Sequence, residues 1–160
     1  MHRVKLFCLL SILPSLLFAL PEDRDQPISL KADSASFDQR TGVSTYQGHV
    51  EINQGTMNLA ADKATVYFTN EGTFQRMEAE GAPSRFRYQP SRNKPHIEGV
   101  GKRIVYNAAK AEVVVSGKAH FVQGRDEFTG PVIVYDLTKD VVNASGGVQF
   151  IIHPTKKTDN

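Results

Sequence analysis

The side chains of this 160-residue chain that could carry covalent or metal chemistry are five histidines, scattered carboxylates, one cysteine and a group of cations. His49, His96, His120 and His153 lack the His-Glu-x-x-His spacing that puts two imidazoles on one face of a helix beside a general base. No Gly-x-Ser-x-Gly elbow exists to present a serine nucleophile. Gly99-Val100-Gly101-Lys102-Arg103 has neither the spacing nor the Ser/Thr of a phosphate-binding loop. Asp33, Asp38 and Asp62 stand beside turns, where carboxylates cap backbone amides. The chain is therefore expected to be no enzyme, with no catalytic residue, metal or cofactor. One polar group remains: Arg85, Arg87, Arg92, Lys94, Lys102 and Arg103 stand against only Glu98 and could meet phosphates. A solvated loop face is the commoner outcome for such a run.

What recurs is apolar. Phe37 to Gly55 reads FDQRTGVSTYQGHVEINQG and Tyr106 to Gly124 reads YNAAKAEVVVSGKAHFVQG, with aromatic, central glycine and closing Gln-Gly all sixty-nine positions apart (37 to 106, 48 to 117, 55 to 124). The aromatic-to-glycine interval recurs from Tyr135 to Gly146, and Phe68 to Gly81 is a fourth copy with a longer turn. An apolar residue precedes each aromatic by two: Ala35, Ile104, Ile133 and Val66. A polar turn and a second apolar-alternating run follow, which is the composition of a β-hairpin. Side chains two apart share a face of a strand, so Val50 with Ile52, Ala119 with Phe121, and Val148 with Phe150 point one way.

Arg3 and Lys5 precede an apolar run from Leu6 to Leu17, and Leu17-Phe18-Ala19 offers a small residue at a cut before Leu20. The run is shorter than the about 20 apolar residues of a membrane helix and reads as a secretory signal over residues 1–19. An uncleaved anchor is the alternative, because Leu17 is large for its place. Cys8 leaves with the signal, so the mature chain has neither disulfide nor thiolate. Taking Arg3 and Lys5 from the 19 basic residues leaves 17 against 17 acidic, a balance that gives no case for nucleic acid.

Gly and Pro punctuate the rest at short intervals, and no apolar period of 3.6 is sustained, so the chain is expected to be all-β. Sixteen short strands are expected, from Ile28–Ala32 to Val148–His153, in one domain over residues 20–153. Gly81-Ala82-Pro83 and Gln89 to Pro95 are polar loops within one sheet, and residues 154–160 form a disordered tail. Inward aromatics, among them Phe37, Phe68, Phe86, Tyr106, Phe121, Phe128, Tyr135 and Phe150, line either a packed core or an elongated apolar groove. Composition does not separate the two.

Asp25-Gln26-Pro27-Ile28, Tyr46 to Gly55, Ala61-Asp62-Lys63, Gly81-Ala82-Pro83 with Phe86, Lys94-Pro95 and Val115 to Ala119 together resemble the OstA-like family of lipopolysaccharide transport proteins of Gram-negative bacteria. The likeness covers most of residues 25 to 150. It implies an open, twisted β-jellyroll of about sixteen antiparallel strands, lying in the periplasm and holding the acyl chains of lipid A in an apolar groove. It further implies head-to-tail self-association into a bridge between an inner-membrane C component and an outer-membrane D component. At matching motif positions, Ile28, Phe86 and Tyr106 resemble lipid-contacting residues. By strand period alone, Leu30, Phe37, Val50, Ile52, Leu59, Ile104, Phe121, Ile133, Tyr135, Val148 and Phe150 join them. Two related readings stand beside this one: a membrane-anchored C component of the same system, and a monomeric, closed-barrel lipid carrier of lipocalin type.

Overall fold

The computed structural model describes residues 26–154. The expected signal with Cys8, the Asp25 that opens the first motif, and the tail beyond Pro154 lie outside them. The described chain is all antiparallel β, in ten strands. These are β1 (Ser29–Lys31), β2 (Ser34–Asp38), β3 (Val43–Gln54), β4 (Met57–Phe68), β5 (Phe74–Tyr88), β6 (Ile97–Asn107), β7 (Glu112–Gln123), β8 (Asp126–Asp136), β9 (Val141–Ser145) and β10 (Gln149–Ile151).

Ten replaces the sixteen expected from sequence, and the reason is a line of bulges. The register between neighbours slips at Gln47/Val50, Ala60/Lys63, Glu80/Ser84, Val100/Arg103 and Ser116/Ala119. Each of β3 to β8 crosses this line once and continues, so one long bent strand stands where two short ones were expected. Bulges bend a strand and increase its twist. Here they fold the sheet back on itself into two layers. The first layer holds β1, residues 50–54, 57–61, 84–88, 97–100, 119–123 and 126–130, and β10. The second holds β2, residues 43–47, 63–68, 74–80, 103–107, 112–116 and 132–136, and β9.

The sequence repeat has a physical meaning in this frame. Its aromatics sit at strand ends far from the bend, its central glycines sit at the bend or at the end of β9, and the closing Gly55 and Gly124 sit in the β3–β4 and β7–β8 turns. Gly48 and Gly117 have φ of 78° and 76°, and the residues after them, His49 and Lys118, are also left-handed at 45° and 58°. At Gly48 a Cβ would come within 2.2 Å of the Asp33 carboxylate. Glycine is therefore required there both by backbone conformation and by space. Asp33 in turn holds the His49 ring at 2.8 Å, which raises the histidine's pKa first through that hydrogen bond and then through charge.

The layers meet closely at their middle. Gly99 of the first layer lies so near the second that a Cβ would be 3.0 Å from Val115 Cγ2. Phe121 of the first layer and Tyr135 of the second stand 5.4 Å apart by ring centroids. Ala61, Ala64, Ala79, Ser84 and Ala119 fill the crease, all buried, because only small side chains fit where the layers converge. The Ser84 hydroxyl is buried there without a hydrogen-bond partner. Burying an unpaired hydroxyl is costly, so Ser84→Ala is expected to raise unfolding stability by about 1 kcal/mol. A lower urea midpoint for this variant would contradict that account.

Strand order runs β1-β3-β4-β5-β6-β7-β8-β10, with β2 on β3 and β9 on β8. Among the described residues, neither β1 nor β2 pairs with β9 or β10, so the sheet stays open. This overturns the closed barrel of the lipocalin-like reading.

Candidate apolar groove and its two open ends

The cavity between the layers has a volume of about 310 Å³ and lies at the N-terminal end of the fold. Its first-layer wall is Ile28, Leu30, Ile52, Gln54, Met57 and Leu59, and its second-layer wall is Tyr46, Val66, Phe68, Phe74, Met77 and Tyr106. Alternation delivers most of these: Ile52 and Gln54, then Met57 and Leu59, are paired two-residue steps on one face of adjoining strands. Phe74 stacks on Tyr106 at 5.7 Å and meets Phe68 edge-on at 6.2 Å, so three aromatic rings form one rigid side of the opening. The volume is at the small end of the about 300–1,000 Å³ typical of ligand sites. The lining contains no ionisable carboxylate, ammonium or imidazole, and such a wall offers burial to a hydrocarbon and no reward to a charge.

Beyond β6 the space between the layers is filled. Ile97, Ile104, Val113, Val115, Phe121, Ile133 and Tyr135 are all essentially inaccessible to solvent. A chain of rings runs outward from there: Phe121 against Phe128 at 6.1 Å, then Phe128 against Phe150 at 4.9 Å, ending on β10.

The fourteen side chains expected to contact lipid fall into three groups. Ile28, Leu30, Ile52, Leu59 and Tyr106 line the cavity. Val50, Phe86, Ile104, Phe121, Ile133 and Tyr135 are buried in the packed core. Phe37 and Phe150 are 58% and 51% exposed, and Val148 is half-buried, at the two ends of the sheet. Sequence reasoning did not select Tyr46, Gln54, Met57, Val66, Phe68, Phe74 and Met77 as lipid contacts, although it placed Phe68 among the inward aromatics. Met57 could have been found from its two-residue step to Leu59. Phe74 could not, because the register slips at Tyr67/Phe68 and breaks the alternation that would reveal it.

All six large exposed hydrophobic residues among those described lie on or beside the four terminal strands. Ile28 and Phe37 are at the β1/β2 end, and Val141, Phe150, Ile151 and Ile152 are at the β9/β10 end. Exposed apolar groups on unpaired strand edges are the usual preparation for another strand.

The cation group is dispersed by the fold. Arg85 and Arg87 alternate with Phe86 and so face outward from the first layer, where Arg87 lies 3.5 Å from Glu98. Arg103 faces outward from the second layer and donates to Glu78 at 2.6 Å. That hydrogen bond raises its pKa, against the opposing effect of partial burial. Lys94 pairs with Asp140 at the C-terminal end. Arg87, Lys94 and Arg103 thus each stand against their own carboxylate, with Arg87 and Arg103 on opposite faces rather than in a single phosphate-binding patch. The histidines are also apart: His49 is at the crease, His120 is 3.2 Å from Glu127, and His153 donates from Nδ1 to the Arg125 carbonyl at 2.6 Å. Among the described residues, no three His, Cys, Asp or Glu side chains come together as metal ligands.

Two aspartates secure the β8–β9 turn. Asp136 accepts from Thr138 Oγ1 at 2.6 Å, from the amides of Thr138 and Lys139 at 2.9 Å each, and from Lys139 Nζ at 2.7 Å. The Lys139 ammonium, then these other donors, hold its carboxyl far below the usual range. Asp140 accepts from Tyr135 Oη at 2.8 Å and Gln123 Nε2 at 3.0 Å, and pairs with Lys94. Burial opposes its ionisation, but the Lys94 ammonium and the two neutral donors outweigh that and lower its pKa. Burial, followed by this hydrogen bond, pushes the Tyr135 hydroxyl well above the ordinary phenol value.

The family model of the LptA/(LptD N-terminal domain) LPS transport protein matches residues 29–141. The chain is 31% identical over 154 residues to the lipopolysaccharide export system protein LptH of Pseudomonas aeruginosa, covering 89% of this chain and 88% of that one. It is 36% identical over 130 residues to the lipopolysaccharide export system protein LptA of Escherichia coli, covering 79% and 69% respectively. The crystal structure of LptH, described as the LptA-homologous periplasmic component of the lipopolysaccharide transport device of Pseudomonas aeruginosa, superposes with a TM-score of 0.79 at 30% identity, covering 84% of this chain and all of that one. An open two-layer β-sheet with an apolar interior and a match of this extent lead to one assignment: the chain belongs to the LptA/(LptD N-terminal domain) family of LPS transport proteins.

Proposed function

We propose that this protein is a periplasmic carrier of lipopolysaccharide in transport toward the outer membrane, taking lipid A acyl chains between its layers and passing them to a neighbouring copy. The observation that carries this reading is the apolar cavity at the β1 end of a sheet that does not close. Residues 1–19 act as a cleaved secretory signal, and residues 20–153 form the transport domain. The C component of the inner membrane meets the β1/β2 end, the D component of the outer membrane meets the β9/β10 end, and copies of the chain join the two ends head to tail. Two different edges in contact generate an open filament rather than a closed pair. Family relatives are transport proteins by name, and the chemistry of the cavity is that of binding rather than catalysis.

Energetics favour a continuous path over a closed pocket. Burying hydrocarbon contributes about 0.8 kcal/mol per CH₂, so several whole acyl chains would exceed the practical ceiling of about 18–21 kcal/mol for non-covalent binding. A lipid sealed inside could not be released. A lipid sliding from one protomer to the next exchanges like contacts, and the drive must come from an energy-consuming partner in the inner membrane.

Photo-crosslinking amino acids placed at Leu30 or Tyr106 are expected to form lipopolysaccharide adducts in cells. The same group at Glu51 or Lys63, which face outward in register with the walls, is expected to form none. Equal labelling at inner and outer positions would end the groove reading.

A further inference from the structure

The cavity stops at β6, whereas a lipid handed on at the β10 end must cross the region between β6 and β8, which is filled by side chains. That region must open for lipid to pass, and one polar contact that joins the two layers opposes its opening. Asp140 lies in the β8–β9 turn of the second layer. Tyr135, which donates to it, is on the second-layer part of β8, paired with Val113 and Val142. Gln123, which also donates to it, ends the first-layer part of β7, paired with Ile97 and Asp126. Lys94 comes from the segment joining the first-layer parts of β5 and β6. One carboxylate thus binds donors from both layers, on the side of the sandwich away from the bend. Asp140 itself is left-handed, with φ of 56°, and its side chain is one-quarter exposed, 25%. The contact can open toward water without unfolding a strand.

We propose that Asp140, with Lys94, Gln123 and Tyr135, is a clasp between the two layers, and that an acyl chain moves from the N-terminal cavity toward β10 only while this clasp is open. The proposal rests on the carrier reading above. Its members are positioning residues, since none of the four lines the cavity. The clasp keeps the C-terminal interior packed when no lipid is present and hides Phe121 and Tyr135 from water. Lipid entering from the N-terminal side supplies the apolar contacts that replace those lost on opening.

The test uses matched cysteines in a full-length chain whose single natural cysteine, Cys8, is replaced by serine. Val113→Cys lies beside Tyr135 and Val50→Cys lies in the N-terminal half, and both valines are 1% exposed. Alkylation by a small reagent reports how often each site opens. Asp140→Gly keeps the left-handed backbone and removes the acceptor. It is expected to speed labelling at Val113→Cys by at least about tenfold, the change in an opening equilibrium that loss of a single charge-assisted hydrogen bond produces, since Asp140 binds three donors, with no change at Val50→Cys. Lys94→Gln, in a surface loop, is expected to act in the same direction more weakly. Equal acceleration at both sites means general destabilisation and overturns the clasp, as does no acceleration at either. Detergent-solubilised lipid A is then added. Protection of Val113→Cys in the Asp140→Gly protein supports passage of acyl chains through the opened region. An opened but unprotected site overturns the gating role. Failure of lipid A to label the Tyr106 photo-crosslinker in any variant instead overturns the carrier reading, and leaves the thiol result to decide the clasp alone.

Discussion

Phe150→Asp is expected to abolish concentration-dependent assembly. Light scattering of the unaltered chain should show mass growing with concentration, whereas the variant should stay at one size across the same range. Phe150 is 51% exposed on β10, the last strand of the sheet, beside Ile151 and Ile152. Its inner side packs edge-on against Phe128, so the ring extends the interior ring chain to the surface. Here an incoming copy would present β1/β2 with Ile28 and Phe37, and an apolar end would meet an apolar end. A carboxylate at that junction would have to be desolvated without a partner, which costs far more than the ring it replaces contributes. Phe37→Asp should block the opposite end and give the same loss. The physical point is that the variant chains mixed in either order should not join through the altered end, while each unaltered end remains competent. If Phe150→Asp assembles as the unaltered chain does, the β9/β10 end is not the joining surface.

Phe121→Ala is expected to lower unfolding stability by about 3–5 kcal/mol, the range for deleting a large ring from a packed interior. Phe121 is wholly buried and touches three structural parts: Tyr135 across the layers at 5.4 Å, Phe128 on the next strand at 6.1 Å, and the tight space beside Gly99, where an added Cβ would lie 3.7 Å from its ring. Since domains of this size have about 5–15 kcal/mol in all, the variant should lose much of its resistance to urea. A midpoint shift equivalent to less than about 1 kcal/mol would show that this region is loosely packed, contrary to its complete burial. Leu59→Ala should cost less than a fully enclosed leucine would, because Leu59 already borders open volume at the cavity wall.

Much of this molecule can be read directly from residues. Alternation in Val50-Glu51-Ile52 and Ala119-His120-Phe121 places inner and outer faces correctly, because a strand has a fixed period of two and one face is buried. The Phe37/Tyr106/Tyr135 repeat marks hairpins whose central glycines fall at the bend or at the end of β9.

Alternation fails where the fold bends. Inward positions shift parity between Ala61 and Ala64 in β4 and between Ile97 and Ile104 in β6, so a continuous strand looks like two. A bulge adds residues without ending the strand, and whether the chain continues across it is decided by hydrogen bonding to both neighbours, which no local sequence records. The repeat also conceals an asymmetry. Tyr106 and Tyr135 hold equivalent places in their copies, yet Tyr106 borders the cavity and Tyr135 is sealed in the core, with its hydroxyl on Asp140.

The sequence by itself determined the all-β class, the inward faces, the repeated hairpin and the apolar character of the interior, because these follow from side-chain type and a local period. The tertiary structure alone decided that six strands run unbroken through a bend, that the interior is open at one end and filled at the other, and that Lys94, Gln123 and Tyr135 converge on one carboxylate. Those depend on which distant strands come to lie opposite one another, and contacts between layers are set by packing across the bend rather than by any residue's neighbours in the chain.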